Sequence, residues 1–261
     1  MVGIFSQFID DHLLQYVHPI VDKESGRVHF WEVLSRVKYM GKIYGPNDFL
    51  QDINVEQRYR LAEKLFQAVG VLQKRFPTQS FSINISSIEI DLGLGNFLSE
   101  LTKKTEELRI DTRRCIIEVT ECSVIDKQIL DILWNLKSVH GFRFALDDFG
   151  AERSTFKQLA IASHVFDYVK IDGYMVENID TDNTKQIILG HILGIIKAHG
   201  KKSIVEYVSS KEVYEEVVKF SPDFMQGFVF CEPAPIETFM QYSNNNDYFF
   251  YNPANLTLAS C

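Results

Sequence analysis

The stretch CIIEVTECSVIDKQILDILWNLKSVHGFRFALDDFG, Cys115 to Gly150, sets two apolar runs, CIIEV (115–119) and FRFALD (142–147), on either side of DKQILDILWNLKSVH (126–140), whose apolar residues recur at helical spacing. Short apolar runs suit buried strands, and a helix between two of them points to parallel neighbours in a sheet. Further strand-length runs are YVHPIVD (16–22), VHFWEVL (28–34), FSINI (81–85), YVKI (168–171), SIVE (203–206) and FMQGFVF (224–230). Helical spacing fills most of the intervals, at 55–76, 97–108, 183–200 and 211–220; in the first, Leu61, Leu65, Val69 and Leu72 share a face. Eight strands in a chain of 261 residues favour a closed barrel over an open sheet. The expected fold is therefore α/β, a TIM-like (β/α)8 barrel over residues 1–242. Residues 243–261, the polar SNNND followed by the aromatic YFFYNPANLTLASC, are expected to be a tail that packs back or mediates association.

In FRFALDDFG the strand period turns Phe142, Phe144 and Leu146 to one face and Arg143 and Ala145 to the other. Two adjacent acids converge only if the strand ends at Asp147 and Asp148 is carried round by the turn that Gly150 permits. Two carboxylates so close need a cation or a shared proton to coexist. On the dipeptide alone a solvated Asp-Asp turn is the favoured reading. The rest of the chain shifts it.

With 46% apolar and 24% charged residues the chain can bury a large core, and its net charge of −8 argues against a DNA or RNA partner. Cys115, Cys122, Cys231 and Cys261 show no CxxC pair or zinc-like spacing and read as thiols, which suits a reducing compartment. The N-terminus has no basic region of a signal peptide, and QIILGHILGII (186–196) is too short to span a bilayer. A cytoplasmic protein without a membrane partner is expected. The apolar residues from Ile187 to Ile196 suit either the core or a partner helix.

From the second strand-length run onward each carries a polar residue within it or near its end: Glu32, Asn84, Glu118, Asp147, Lys170, Glu206 and Gln226 in turn. In a (β/α)8 barrel the carboxyl ends of the strands surround one opening, so one site would collect at least four carboxylates. Such a cluster needs divalent cations, and its carboxylate and amide oxygens suit hard ions such as magnesium, calcium or manganese. Two such ions side by side can activate a water and stabilise an in-line phosphoryl displacement, which points to a two-metal phosphodiesterase.

These blocks resemble a known family. Glu32-Val33-Leu34-Ser35-Arg36 is similar to the E-A-L-L-R signature of the EAL family of cyclic-di-GMP phosphodiesterases. Pro19-Ile20-Val21, Ser82–Ser86, Glu118–Glu121, Leu146–Gly150, Val169–Asp172, Glu206–Val208 and Met225–Phe228 resemble its other blocks, in order, from about Tyr16 to Pro235. The resemblance implies a first strand antiparallel to the rest and metal-dependent opening of cyclic-di-GMP to pGpG, using Mg2+ or Mn2+ and two ions. It implies that Glu32, Asn84, Glu118 and Asp147 hold one metal and that Asp147, Asp148 and Glu206 hold or flank the second. Lys170 would contact the attacking water and the phosphate, and Glu206 takes the place some members give a general base. Gln226 would line the site, Arg36 would pair with a ligand phosphate, and Glu121 would anchor the loop after Asp148. A homodimer, or regulation through a protein partner, is implied in the same way.

The departures concern grip and rate more than reaction type. His18 stands for the glutamine of Y-Q-P-I-V, near the ligand, where it alters base contacts or packs in the core. Glu152 and Arg153 replace Gly-Tyr after the D-D-F-G block, Gly173 replaces an arginine, and Tyr207 and Ser209 replace the glycine and second glutamate of E-G-V-E. The alternative reading is a slow or inactive barrel serving as a cyclic-di-GMP receptor or an interaction module.

Overall fold

A computed structural model describes residues 5, 9–86, 97–120, 126–150 and 156–241; the proposed tail, 243–261, lies outside them. Strands β1 (Leu13–Asp22), β2 (Val28–Tyr39), β3 (Lys42–Tyr44), β4 (Phe81–Ser86), β5 (Cys115–Thr120), β6 (Arg143–Phe149), β7 (Tyr168–Ile171), β8 (Lys202–Val205), β9 (Phe224–Met225) and β10 (Ala234–Pro235) form one sheet. β2 and β4 to β9 are parallel in sequence order, and β1 closes the barrel by pairing with both β2 and β9. β1 is antiparallel to each of these neighbours. Residues 23–27 are too short for a crossover, so β1 and β2 can be joined only as a hairpin. Asp22 fixes that turn by accepting from the Ser25 amide at 2.7 Å. β3 and β10 extend the sheet outside the ring.

The outer helices include α1 (Val55–Arg75), α2 (Phe97–Leu108), α3 (Lys127–Ser138), α4 (Phe156–Ala162), α5 (Asn183–Ala198) and α6 (Lys211–Val217). Asn54 and Gln57 cap each other in a capping box at α1, and Asp126, Asp182 and Ser210 cap α3, α5 and α6. On α5, Leu189, Ile192, Leu193 and Ile196 enter the core, and Ile187 and Ile188 stand exposed. No helix among the described residues is long and apolar enough to cross a membrane.

Alternation along the strands builds two apolar clusters. Outward residues such as Val33, Ile83, Ile117, Val119, Leu146, Val169 and Val205 pack under the helices. Ile20, Phe30, Ile116, Ala145, Tyr168, Ile204 and Phe224 fill the lower barrel interior. Two residues further along β2, β5, β6, β7, β8 and β9 the same inward parity places Glu32, Glu118, Asp147, Lys170, Glu206 and Gln226; β1 runs the other way, so its matching residue is His18.

Three expectations are corrected. β6 does not end at Asp147: it continues to Phe149 through a register shift, with Asp148 at φ 55°. FMQGFVF pairs only at Phe224–Met225, because the chain beyond turns at Gly227, whose backbone crowds Val208. Cys231 is disulfide-bonded, while Cys115 is a buried free thiol that burial pushes up to about 12. Sequence spacing carries no mark of that pairing.

At the bottom of the barrel His29 stacks on Phe224, ring centroids 4.1 Å apart, within 3.0 Å of the Tyr168 hydroxyl. Burial, assisted by Arg143, lowers His29 to about 4. The unfolded chain therefore takes up a proton below about pH 6.5 that the folded chain refuses, so this contribution to stability is lost as pH falls from there towards about 4. We expect the urea midpoint of His29→Phe to rise relative to wild type between about pH 7.5 and about pH 4.5. A pH-independent difference would contradict this.

Candidate active site

Barrel closure brings the upper interior layer together. Lys170 is buried on β7, and its ammonium lies 2.6 Å from Glu118 Oε2, 2.8 Å from Glu206 Oε1, 3.1 Å from Asp147 Oδ1 and 3.6 Å from Glu32 Oε1. Asn84 Nδ2 donates to Glu32 Oε1 at 2.6 Å and Gln226 Nε2 to Glu32 Oε2 at 2.7 Å, so β4 and β9 fix the carboxylate of β2 from both sides. The bulge swings Asp148 back towards the interior. Carboxylate oxygens of Asp147, Asp148 and Glu206 lie within 4.8 Å of one another.

One ammonium cannot neutralise this cluster, and the acids divide accordingly. Burial would raise Glu32, but Lys170, Gln226 and Asn84 bring it down to about 2. Burial and the Glu32 charge push Glu118 well above the usual carboxylate range. Burial raises Asp147, takes Asp148 to about 6 with help from Asp147, and takes Glu206 to about 8 against the pull of Lys170. Without a metal, the site therefore stores protons near neutral pH.

The donor set fits a hard divalent cation. Among the described residues Glu118 Oε1 is buried with no hydrogen-bond partner, and Asp147 Oδ1 has only the Lys170 ammonium beside it, at 3.1 Å. Buried carboxylate oxygens in this state are costly unless a cation engages them.

A cleft of about 510 Å³ opens above the layer, lined in part by His18, Glu32, Arg36, Glu206 and Gln226. His18 Nε2 donates to the Cys231 carbonyl at 3.0 Å, and burial lowers the ring to about 4, so His18 presents a neutral wall. The Arg36 guanidinium lies 5.8 Å from the centre of the Tyr16 ring.

Sequence-based expectation thus meets in one place for Glu32, Asn84, Glu118, Asp147, Asp148, Lys170, Glu206 and Gln226, with His18 and Arg36 on the cleft wall. Glu121, Glu152 and Arg153 lie outside the described residues. Asn47, Asp172 and Phe228 also line the cleft and were not anticipated as site residues. Asp172, directly after YVKI, was the most legible of these, whereas Asn47 arrives from the segment after β3 with no local signal.

The EAL domain profile matches residues 4–233, nearly the whole barrel. This chain belongs to the EAL domain family. Among curated EAL relatives, "Probable cyclic di-GMP phosphodiesterase PdeA" of Escherichia coli is 28% identical over 233 residues, 86% of this chain and 31% of that protein. "Cyclic di-GMP phosphodiesterase PdeB" of Shewanella oneidensis is 25% identical over 252 residues, 92% and 28% respectively. The chain thus spans about three tenths of the length of these relatives. Of solved structures, the Klebsiella pneumoniae BlrP1 calcium/cy-diGMP complex superposes with a TM-score of 0.72 at 25% identity, covering 87% of this chain and 57% of that one. The Bacillus subtilis YkuI protein gives 0.76 at 22% identity, covering 88% and 57%, and supports the fold.

Two outcomes follow for the EAL site. Lys170→Met leaves four acids, three of them buried, without their ammonium and should destabilise the metal-free protein by about 3–5 kcal/mol, read from urea midpoints, with Mn2+ restoring more stability to the variant than to wild type. Mn2+ binding to wild type should also release protons at about pH 7, less at about pH 8.5, because Glu206 and its neighbours must ionise to serve as ligands. Calorimetric heats independent of the buffer's ionisation enthalpy would contradict the stored protons.

Proposed function

We propose that this chain is a metal-dependent phosphodiesterase that hydrolyses cyclic-di-GMP to linear pGpG in bacterial second-messenger signalling. The observation that carries the reading is the meeting of Glu32, Glu118, Asp147 and Glu206 around the buried Lys170 ammonium at the mouth of the barrel, with Glu118 Oε1 lacking a partner among the described residues. The names of the curated relatives and the complex of BlrP1 with a divalent ion and the dinucleotide support the same chemistry.

Glu32, Asn84, Glu118 and Asp147 would hold one Mg2+ or Mn2+, and Asp147, Asp148 and Glu206 a second. Such ions supply a Lewis acid for the phosphate and activation of water near neutral pH. Gln226 and Asn84 donate to Glu32 and keep its carboxylate ionised and oriented. Lys170 donates towards the reacting phosphate or its attacking water from the cluster's centre. Glu206, on the cleft side and the more exposed of the acids that Lys170 pairs, is placed to accept a proton from that water. Arg36 pairs with a non-reacting phosphate on the cleft wall. His18, neutral and tied to the backbone, bounds the ligand without adding charge.

The second reading is a receptor that binds without turnover. It draws on Tyr207 and Ser209, both lining the cleft where the family pattern has glycine and glutamate.

Incubation with cyclic-di-GMP and Mg2+ or Mn2+ should yield pGpG by chromatography. Glu32→Ala should lower kcat/KM by at least about a hundredfold, and a chelator should abolish turnover. Binding without pGpG would establish the receptor, and absence of binding would leave an interaction module.

A further inference from the structure

Gly173 and Tyr207 compete for one space. A Cβ placed on Gly173 would stand 2.8 Å from Tyr207 Cβ and 3.1 Å from its Cγ, closer than carbon atoms pack. The ring of Tyr207 therefore stands where a side chain at 173 would begin. The departures from the family pattern at these two positions form one geometric unit.

Tyr207 carries two costs that do nothing for the core. Its φ of 58° lies in the left-handed region, unfavourable for a bulky side chain, and the residue is 53% exposed on the wall of the cleft. Strain of this kind persists where the surroundings over-determine the backbone. Here they do. Glu206 N donates to Ile171 O at 3.3 Å, Val208 N to Gln226 O at 3.0 Å and Val229 N to Val208 O at 3.0 Å. Gly227 lets the Val208 backbone pass where a Cβ would fall 2.2 Å from its carbonyl oxygen. The ring is thus held on a braced segment directly after Glu206, at the border between the acidic floor and the open cleft.

We propose that Tyr207 is a stacking platform for a purine base of the ligand, with Gly173 kept free of a side chain so that the ring can stand there. The proposal rests on the dinucleotide reading above and adds the residue that recognises the base. A rigid aromatic face on a cleft wall loses little conformational freedom on binding and favours the larger π surface of a purine over that of a pyrimidine.

The test uses the full chain with Mn2+. Tyr207→Ala should raise KM for cyclic-di-GMP about tenfold or more with kcat within about twofold, while Tyr207→Phe stays within about twofold of wild type. Inhibition by cyclic-di-UMP should change by less than about threefold in Tyr207→Ala. Tyr207→Gly, which removes the ring and relieves the backbone, should raise KM equally and raise the thermal midpoint, so that a folding defect cannot produce the effect. Mn2+ affinity should be unchanged throughout. Wild-type turnover with unaltered KM in Tyr207→Ala would overturn the platform alone. A KM rise that comes with lost Mn2+ affinity would overturn it in favour of a brace for Glu206. Wild-type protein that neither binds nor turns over cyclic-di-GMP would overturn the nucleotide reading and the platform with it.

Discussion

A single ammonium, that of Lys170, sits buried among Glu32, Glu118, Asp147 and Glu206, and its charge does not balance theirs. In a low-dielectric interior that imbalance has to be met by protons or by further cations. The barrel makes the arrangement possible. Closure of β9 onto β1 draws the inward side chains of successive strands into a ring, where an open sheet would spread them along a line. The apolar layer from Ile20 to Phe224 seals the ring from below. The upper layer is therefore a stack of like charges held by backbone hydrogen bonds and apolar packing rather than by its own attraction.

Much of this was legible because strand parity is a local property. Once Ile116 and Ala145 are inward, Glu118 and Asp147 must be inward too, and the order of apolar runs is enough to place them around one mouth. The same logic located Lys170 but not its surroundings: read as a substrate contact, it is also the hub of the ion cluster, a fact that depends on four other strands. The swing of Asp148 was misassigned to the end of a strand, because a bulge depends on register with β7 rather than on the sequence of β6. FMQGFVF looked like a full strand because its apolar content is high, while the approach of Gly227 to Val208 is set by a segment distant in sequence. The disulfide at Cys231 and the shared volume of Gly173 and Tyr207 were hidden for the same reason. The parts that were missed are contacts between segments; the inward ring of acids follows from periodicity within one, while the antiparallel first strand and the places of His18 and Arg36 came from the family resemblance.

The two layers of the barrel interior divide labour cleanly: the lower is apolar and secures the fold, the upper is polar and forms the candidate site. Their separation has an evolutionary consequence. Because burial and like charges hold Glu118, Asp147 and Glu206 above their ordinary range, replacing one of these relieves an unfavourable interaction and leaves the packing beneath untouched. Descendants of such a barrel can lose turnover while keeping, or even improving, their folding stability, and they retain the cleft above. Drift alone would then produce folded, catalytically silent copies with a ready-made recess. Selection for a sensor could start from these without first having to rebuild a scaffold.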